Sequence, residues 1–296
     1  RGPAQCCEAC ESFSGGHPMT RTIQLGISTC PNDTFAFHGL INQLVDWQGL
    51  HFEIELLDIQ ELNSRVFSQA FDVAKASFHG AILMGEHYVV LPSGSALGFG
   101  VGPLLLASAA DTVPEKRSQH VLCPGPHTTA TLLYKLFYED VAEVQHVVFS
   151  QIMPNLKNGE ADFGVCIHEG RFTWEAEGLF LVEDLGVRWE RETAAPLPLG
   201  GIVGRRALGN NVLAAAQRVI QDSVLYGLAN PEETLPTMRR YAQEFGDDVL
   251  MKHVELYVND WTVDLGEVGR QAIQELAQRT GREFSGQRRE LEVFGG

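Results

Sequence analysis

The sequence lacks the excess of positive charge that binding to nucleic acid or to an anionic membrane requires. Its 22 Lys and Arg residues are outnumbered by 38 Asp and Glu residues, which gives a formal net charge of −16. Affinity for a phosphate backbone comes mainly from clustered Lys and Arg. We therefore expect neither nucleic acid nor a membrane surface as a partner.

Long apolar segments are also lacking. The longest stretches, such as residues 102–110, reach about half of the roughly 20 apolar residues that a membrane-spanning helix needs. The sequence therefore excludes an integral membrane protein.

Closely spaced cysteines are absent from the body of the chain. Cys30, Cys123 and Cys166 lie far apart in the sequence, which is typical of a reduced, cytoplasmic protein. Cys166, inside an apolar run, is expected to be a small core residue rather than a nucleophile.

The first eighteen residues differ in composition from the rest. They contain Cys7 and Cys10 in a CxxC pattern, but only His17 lies nearby as a further soft ligand, so no metal site is predicted. The segment also lacks the apolar core of a secretory signal. We predict that residues 1–18 are a disordered or non-native leader and that Met19 is the working start.

Short apolar runs alternate with helical patterns between residues 22 and 203, and helical patterns alone follow from residue 211. The first helical pattern predicts a helix at 34–45. The apolar runs predict ten strands, at 22–27, 52–57, 72–76, 88–91, 103–107, 119–123, 144–149, 162–167, 179–182 and 199–203. This order is typical of an α/β fold with mainly parallel sheets. Polar stretches at 109–118 and 191–198 look like two hinges between two groups of strands.

Two crossings and a helical return predict a protein of two lobes with a ligand cleft between them. The large lobe is discontinuous, comprising 19–108 and 199–283, and the small lobe comprises 109–198. Residues 284–296 are predicted to be a C-terminal tail. In such folds ligands bind at the carboxyl ends of strands.

The first candidate site segment is the polar turn that follows the strand ending near Ile27. Its small polar side chains, Ser28 and Asn32 among them, lie at the carboxyl end of a strand and are candidate substrate contacts. The alternative interpretation is that Asp33 or Thr34 only caps a helix.

A second candidate is Lys75, which interrupts an apolar strand just before Ser77. If the strand is internal, Lys75 lies near the cleft as a positive charge for a carboxylate. The alternative is a lysine on an edge strand that reaches solvent.

Glycines recur between Ser93 and Pro103, but their spacing matches neither a dinucleotide-binding nor a phosphate-binding loop. They are compatible with close backbone approach to a ligand or with a bulged strand.

Two further segments follow strand ends. Thr128 and Thr129 are predicted to begin a helix, where free N–H groups and the helix dipole form an anion-binding arrangement; simple capping by one threonine is the alternative. His168 follows an apolar strand and is placed to act as a general base, although a lone histidine is more often structural.

Together these segments resemble the 1,4-dihydroxy-6-naphthoate synthase (MqnD) family of menaquinone biosynthesis by the futalosine pathway. The resemblance covers nearly everything from residue 22 to about residue 280. Two positions depart from the family pattern, Thr29 where proline is expected and Ala74 where threonine is expected. The resemblance rests on Cys30–Phe35, Asp58–Asn63, Lys75, Ser77, Ser93–Gly98, Gly102–Pro103, His127–Ala130, His168–Phe172, Leu197–Gly200 and Tyr257–Asn259.

The resemblance implies a type II periplasmic-binding-protein-like fold used as a cytoplasmic lyase. The implied reaction converts cyclic dehypoxanthine futalosine, a small anionic molecule, into 1,4-dihydroxy-6-naphthoate without metal or cofactor. The base maps onto His168. The substrate contacts map onto Lys75, Ala76, Ser77, Thr128 and Thr129.

Two other functions stay open at this point. One is chorismate dehydratase of the same pathway, and the other is a non-catalytic small-molecule binding protein, a role that this fold often serves. The sequence also leaves a homodimer open.

Overall fold

The computed structural model describes residues 21–139, 141–168, 170–242, 246–284 and 289–295, and for 282–284 it describes the backbone alone. The predicted leader and its CxxC pattern lie outside the described residues. Within the described part of the chain, no helix combines the length and the apolar character that crossing a bilayer requires.

Ten strands form within the described residues, as many as the apolar runs of the sequence. Most begin or end within two residues of the predicted positions. Their bounds are β1 Arg21–Ser28, β2 Leu50–Leu57, β3 Val73–Ser77, β4 Tyr88–Gly98, β5 Leu104–Ala107, β6 His120–Cys123, β7 Glu143–His146, β8 Phe163–Cys166, β9 Phe180–Asp184 and β10 Leu197–Arg205.

Helices connect the strands and follow the last of them. The predicted helix at 34–45 is instead two short helices, α1 and α2, and the sequence interpretation missed α8. The bounds are α1 Pro31–Ala36, α2 His38–Ile41, α3 Ile59–Phe67, α4 Phe78–Leu83, α5 Thr129–Phe137, α6 Phe149–Lys157, α7 Gly170–Thr173, α8 Leu185–Thr193, α9 Asn210–Ala229, α10 Pro231–Tyr241, α11 Asp247–Tyr257, α12 Asp260–Val263 and α13 Gly266–Phe284.

The strands form two five-stranded sheets. The first has the order β2-β1-β3-β10-β4 and the second has the order β7-β6-β8-β5-β9. The expectation of mainly parallel sheets is wrong for half of the pairings. Strand β10 runs antiparallel to β3 and β4, and β5 runs antiparallel to β8 and β9. These two strands are the ones at which the chain passes between the sheets: β5 follows β4 of the first sheet, and β10 follows β9 and α8 of the second.

Strand β5 also corrects the predicted division of the chain. The sequence interpretation assigned 104–107 to the large lobe, but β5 pairs with β8 and β9 of the second sheet. The first crossing therefore lies at 99–103, and the polar stretch at 109–118, interpreted as a hinge, connects β5 to β6 within one sheet. The second crossing, at 194–196, falls inside the predicted stretch 191–198. The other lobe boundaries stay predictions.

The glycine-rich segment continues strand β4 as far as Gly98. The pairing of β4 with β10 shifts register on either side of Gly200, which agrees with the bulged-strand alternative. Part of the predicted tail covers the outer edge of β4. The Val90 N–H donates to the Glu292 carbonyl at 3.0 Å, and the Phe294 N–H donates to the Val90 carbonyl at 2.8 Å.

The two sheets share one hydrophobic core. The largest cluster of buried side chains includes Val90 of β4 from the first sheet and Leu105 of β5 and Val165 of β8 from the second. Trp189 of α8, fully buried, belongs to the same cluster. The crossing strands therefore hold both sheets against a continuous apolar interior.

Backbone passes directly over backbone at the first crossing. A Cβ atom on Gly102 would lie 2.2 Å from the Gly186 Cα, and one on Gly186 would lie 2.5 Å from the Gly102 Cα. Neither glycine has a positive φ, so this contact, and not the backbone conformation, requires glycine at both positions. The contact joins the entry to β5 to the first turn of α8.

We predict that Gly102→Ala and Gly186→Ala each lower the free energy of unfolding by about 2 kcal/mol or more, because overpacking against backbone cannot be relieved by a rotamer change. Gly85→Ala is the matched control, since its Cβ would have no neighbour nearer than 3.6 Å. Urea unfolding measures all three variants. Equal stability of the three would contradict the packing argument.

Candidate active site

The candidate site lies where parallel strands of both sheets end. Strand β1 ends at Ser28, β3 ends at Ser77, β6 leads to Thr128, and β8 leads to His168. Because parallel strands that start from the same side also end on the same side, their following turns converge. The predicted cleft therefore exists, and residues from both sheets line it.

The pocket has a volume of about 660 Å³, part of it open to solvent. Ala76 is the predicted contact that does not line it, because successive strand residues point to opposite faces of a sheet and Ala76 belongs to the core. Seven predicted residues do line it: Ser28, Asn32, Lys75, Ser77, Thr128, Thr129 and His168.

Lys75 is buried, with 4% of its surface exposed. Strand β3 lies between β1 and β10, so the alternative of an edge-strand lysine is wrong. The Lys75 ammonium pairs with the Asp33 carboxylate at 2.6 Å and donates to the Gly94 carbonyl at 3.1 Å. Its charge is thus already matched by a carboxylate of the protein.

Asp33 therefore does not cap the helix that follows β1. Helix α1 begins at Pro31 with Cys30 at the N-cap position and no side-chain cap. Asp33 lies in the first turn, where its carboxylate accepts hydrogen bonds from Lys75 and from the Asn32 side chain at 3.2 Å. Proline at the first helical position supplies the fixed φ that starts the helix without a cap.

Thr128 and Thr129, at the start of α5, make different hydrogen bonds. Thr128 caps the helix, because its hydroxyl accepts from the Thr131 N–H at 3.2 Å. The Thr129 hydroxyl donates to the Leu199 carbonyl at 2.7 Å and so joins α5 to β10 of the first sheet. The backbone N–H groups of the first helical turn, which begins at Thr129, have no partner within the helix.

The serines of the site are held by neighbouring groups. The Ser28 hydroxyl accepts from the Cys30 N–H at 3.0 Å. The Ser77 hydroxyl accepts from the Asn63 side-chain amide at 3.0 Å, and the Ser77 N–H donates to the other end of that amide at 2.9 Å. Asn63 is fully buried, so α3 fixes the end of β3 firmly.

His168 has a left-handed backbone with φ of 55°. This conformation is uncommon outside glycine, and such outliers cluster at functional sites. The Cys30 Sγ lies 3.3 Å from the His168 Nδ1 and 3.5 Å from its Nε2. The Phe149 ring meets the imidazole edge-on, with 4.8 Å between ring centres. The turn after β8 thus presents His168 across the pocket to the turn after β1.

His253 of α11 also lines the pocket, and the sequence interpretation missed it. Its side chain is almost fully buried, with 2% of the residue exposed. The ring lies nearly parallel to that of His168, with centres 6.0 Å apart. Burial, helped by His168, lowers the pKa of His253 to about 3, so this imidazole is neutral at ordinary pH.

A sequence signal for His253 exists but is weak. It falls on the same helical stripe as Leu250, Val254 and Tyr257, all of them buried. A histidine inside an apolar stripe three or four residues from an aromatic is usually a core residue. The packing of α11 against α1, the helix that follows β1, brings it to the pocket.

Solved structures show the class of fold. The chain superposes on the periplasmic aliphatic sulphonate binding protein of Escherichia coli with a TM-score of 0.60, 9% identity, and coverage of 89% of this chain and 86% of that one. A crystal structure of an Archaeoglobus fulgidus protein gives a TM-score of 0.83 at 29% identity, with 88% and 97% coverage. The fold is therefore the periplasmic-binding-protein-like α/β fold, as predicted.

Sequence comparison narrows this class to a family. The profile described as menaquinone biosynthesis matches residues 23–282, and the chain belongs to that family. A 1,4-dihydroxy-6-naphtoate synthase of Thermus thermophilus is 41% identical over 86% of this chain and 92% of the relative. The synthase of Streptomyces coelicolor is 37% identical over 88% and 94%. The resemblance inferred from the motifs and the role in menaquinone biosynthesis are confirmed.

We predict that Lys75→Met destabilises the protein by about 3–5 kcal/mol, because it leaves the Asp33 carboxylate buried without its counter-charge. The double variant Lys75→Met/Asp33→Asn should lose less, since no unpaired charge remains. Urea unfolding of the two variants provides the comparison. A single variant as stable as the double would show that the pair is not buried as described.

The lowered pKa of His253 predicts a loss of stability in acid. The folded state resists protonation until about pH 3, whereas the unfolded chain takes up the proton near the ordinary pKa of 6.5. Stability therefore falls as the pH drops below 6.5, by about 2 kcal/mol at pH 5 from this group. His253→Phe should remove that part of the loss.

The measurement is urea unfolding at pH 7 and pH 5 for the wild type and for His253→Phe. The quantity to compare is the change in the free energy of unfolding between pH 7 and pH 5, and not the absolute stability of either protein. An identical pH dependence in both proteins would refute the assignment of His253 as a neutral buried imidazole.

Proposed function

We propose that this enzyme of menaquinone biosynthesis converts cyclic dehypoxanthine futalosine into 1,4-dihydroxy-6-naphthoate, with His168 as the base. The observation that carries the proposal is the placement of His168 in the pocket with a left-handed backbone after β8. The synthase names of the two relatives support the choice of reaction.

His168 starts the reaction in this proposal. A neutral imidazole in the pocket removes a proton from the bound substrate, and the electron pair left behind drives ring cleavage. The sugar-derived carbons leave as a small fragment, and the remaining ring system becomes aromatic. Aromatisation makes the step favourable, so the residues of the pocket have to supply only a base and correct alignment.

The first turn of α5 is the best candidate for binding the substrate carboxylate. Its free N–H groups and the positive end of the helix dipole favour an anion. Lys75 is less suited as the sole partner, because Asp33 already neutralises it at 2.6 Å. We therefore assign the carboxylate to the backbone at Thr129 and Ala130, with Lys75 and Ser77 nearby.

Contacts between the two sheets keep the substrate enclosed in this proposal. The hydrogen bond from Thr129 to Leu199 and the approach of Cys30 to His168 both join groups from different sheets. A closed pocket excludes water and holds the scissile bonds next to the base. Action in the cytoplasm and the anionic nature of the substrate are parts of the same proposal.

We predict that His168→Ala lowers turnover by about 10²- to 10⁴-fold, the usual contribution of a positioned general base. Purified protein is mixed with cyclic dehypoxanthine futalosine, and naphthoate formation is followed by ultraviolet absorbance and mass spectrometry. Thermal melting confirms that the variant is folded. Near-normal turnover by folded His168→Ala would remove His168 from the mechanism.

The same assay separates the two other functions. Consumption of chorismate, with the futalosine derivative untouched, would indicate the dehydratase reaction. Recovery of both compounds unchanged would indicate a binding protein, in which His168 is at most a ligand contact. Either result would overturn the proposed reaction.

A further inference from the structure

The His253 imidazole has no hydrogen-bond partner on either ring nitrogen among the residues that the structure describes. Burying polar atoms without partners costs free energy, so such groups are rare and call for an explanation. His253 is also one of the residues that line the pocket, so a molecule bound there lies next to it.

Other buried histidines of the chain are satisfied at least in part. The His38 Nδ1 lies 2.8 Å from the Thr237 hydroxyl, and the His79 Nδ1 lies 3.3 Å from the Thr128 carbonyl. Neither of them lines the pocket. Among the buried histidines that the structure describes, the imidazole with both nitrogens unpartnered is thus the one that lines the pocket.

Aromatic neighbours hold the His253 ring in place without satisfying it. The Tyr257 ring, one turn further along α11, lies 4.6 Å away, and the Phe172 ring lies 6.3 Å away. Together with His168 these contacts surround the imidazole with ring faces and edges. Its orientation is therefore set before any ligand binds, which reduces the entropy that binding has to overcome.

The charge state of the ring limits what it can recognise. Burial and the nearby His168 keep the pKa of His253 near 3, so the ring stays neutral and offers one N–H donor and one acceptor nitrogen. A neutral imidazole binds a carboxylate more weakly than a cation would. It suits an uncharged oxygen, which can accept from the N–H or donate to the other nitrogen.

We infer that His253 is a substrate-binding residue that hydrogen-bonds a hydroxyl or ketone oxygen of the substrate and holds that part of the molecule beside His168. This inference rests on the proposed function. It separates two tasks within the pocket: the first turn of α5 binds the charged end of the substrate, and His253 recognises an uncharged oxygenated part.

Three variants of His253 test the inference. His253→Phe keeps the ring and its stacking but removes both nitrogens. His253→Gln and His253→Asn each keep one amide group close to the position of one ring nitrogen. His38→Phe is the matched control, because it removes a buried imidazole of α2 that lies outside the pocket.

Steady-state kinetics with cyclic dehypoxanthine futalosine provide the measurement, and thermal melting checks folding. We expect His253→Phe to lower kcat/KM by about 10- to 100-fold, mainly through a higher KM, because it leaves a substrate oxygen unpaired. At least one of the amide variants should recover most of that loss. His38→Phe should keep kcat/KM near the wild-type value.

Two results would overturn the inference while leaving the proposed function intact. One is a folded His253→Phe variant with a kcat/KM within twofold of an active wild type. The other is a loss that neither amide variant restores, which would mean that the ring acts through packing alone. A wild type that leaves the substrate unchanged would instead overturn the proposed function and, with it, this inference.

Discussion

The pairing of Lys75 with Asp33 is the contact on which the floor of the pocket depends. It joins the middle strand of the first sheet to the first turn of α1, and through the Gly94 carbonyl it also reaches strand β4. A lysine this deeply buried is tolerated only with a counter-charge and further hydrogen bonds. Three chain segments are therefore fixed together where Lys75 and Asp33 line the pocket.

This pairing also changes how the pocket attracts its ligand. The charges of Lys75 and Asp33 cancel, so the floor of the cleft is polar but close to neutral. In the proposed function, the backbone N–H groups at the start of α5 attract the anion instead. They carry partial positive charges, which need no carboxylate to balance them. In that proposal, a protein with a net charge of −16 would therefore bind its anionic substrate through backbone N–H groups rather than through Lys75.

Much of the fold could be predicted from local sequence patterns. Much of the site could be predicted from the residues that follow the strands. The ten apolar runs became ten strands, because period and length of apolar runs are local properties. Seven of the eight predicted binding and catalytic residues line one pocket, since turns after parallel strands converge. Three features were not predictable: the sheet to which β5 belongs, the partner of Asp33 and the position of His253. Each depends on contacts between segments far apart in the chain, and no spacing within one segment reports such contacts.

The order of strands in the two sheets has a consequence for how the chain acquires its structure during synthesis. All five strands of the second sheet lie between residues 104 and 184, whereas the first sheet needs β10, at 197–205, between β3 and β4. A chain emerging from the ribosome can therefore complete the inserted sheet first, while β3 and β4 wait with unpaired edges. Nascent chains that end before residue 197 therefore leave edges of β3 and β4 without their partner strand, and unpaired edges of this kind invite aggregation.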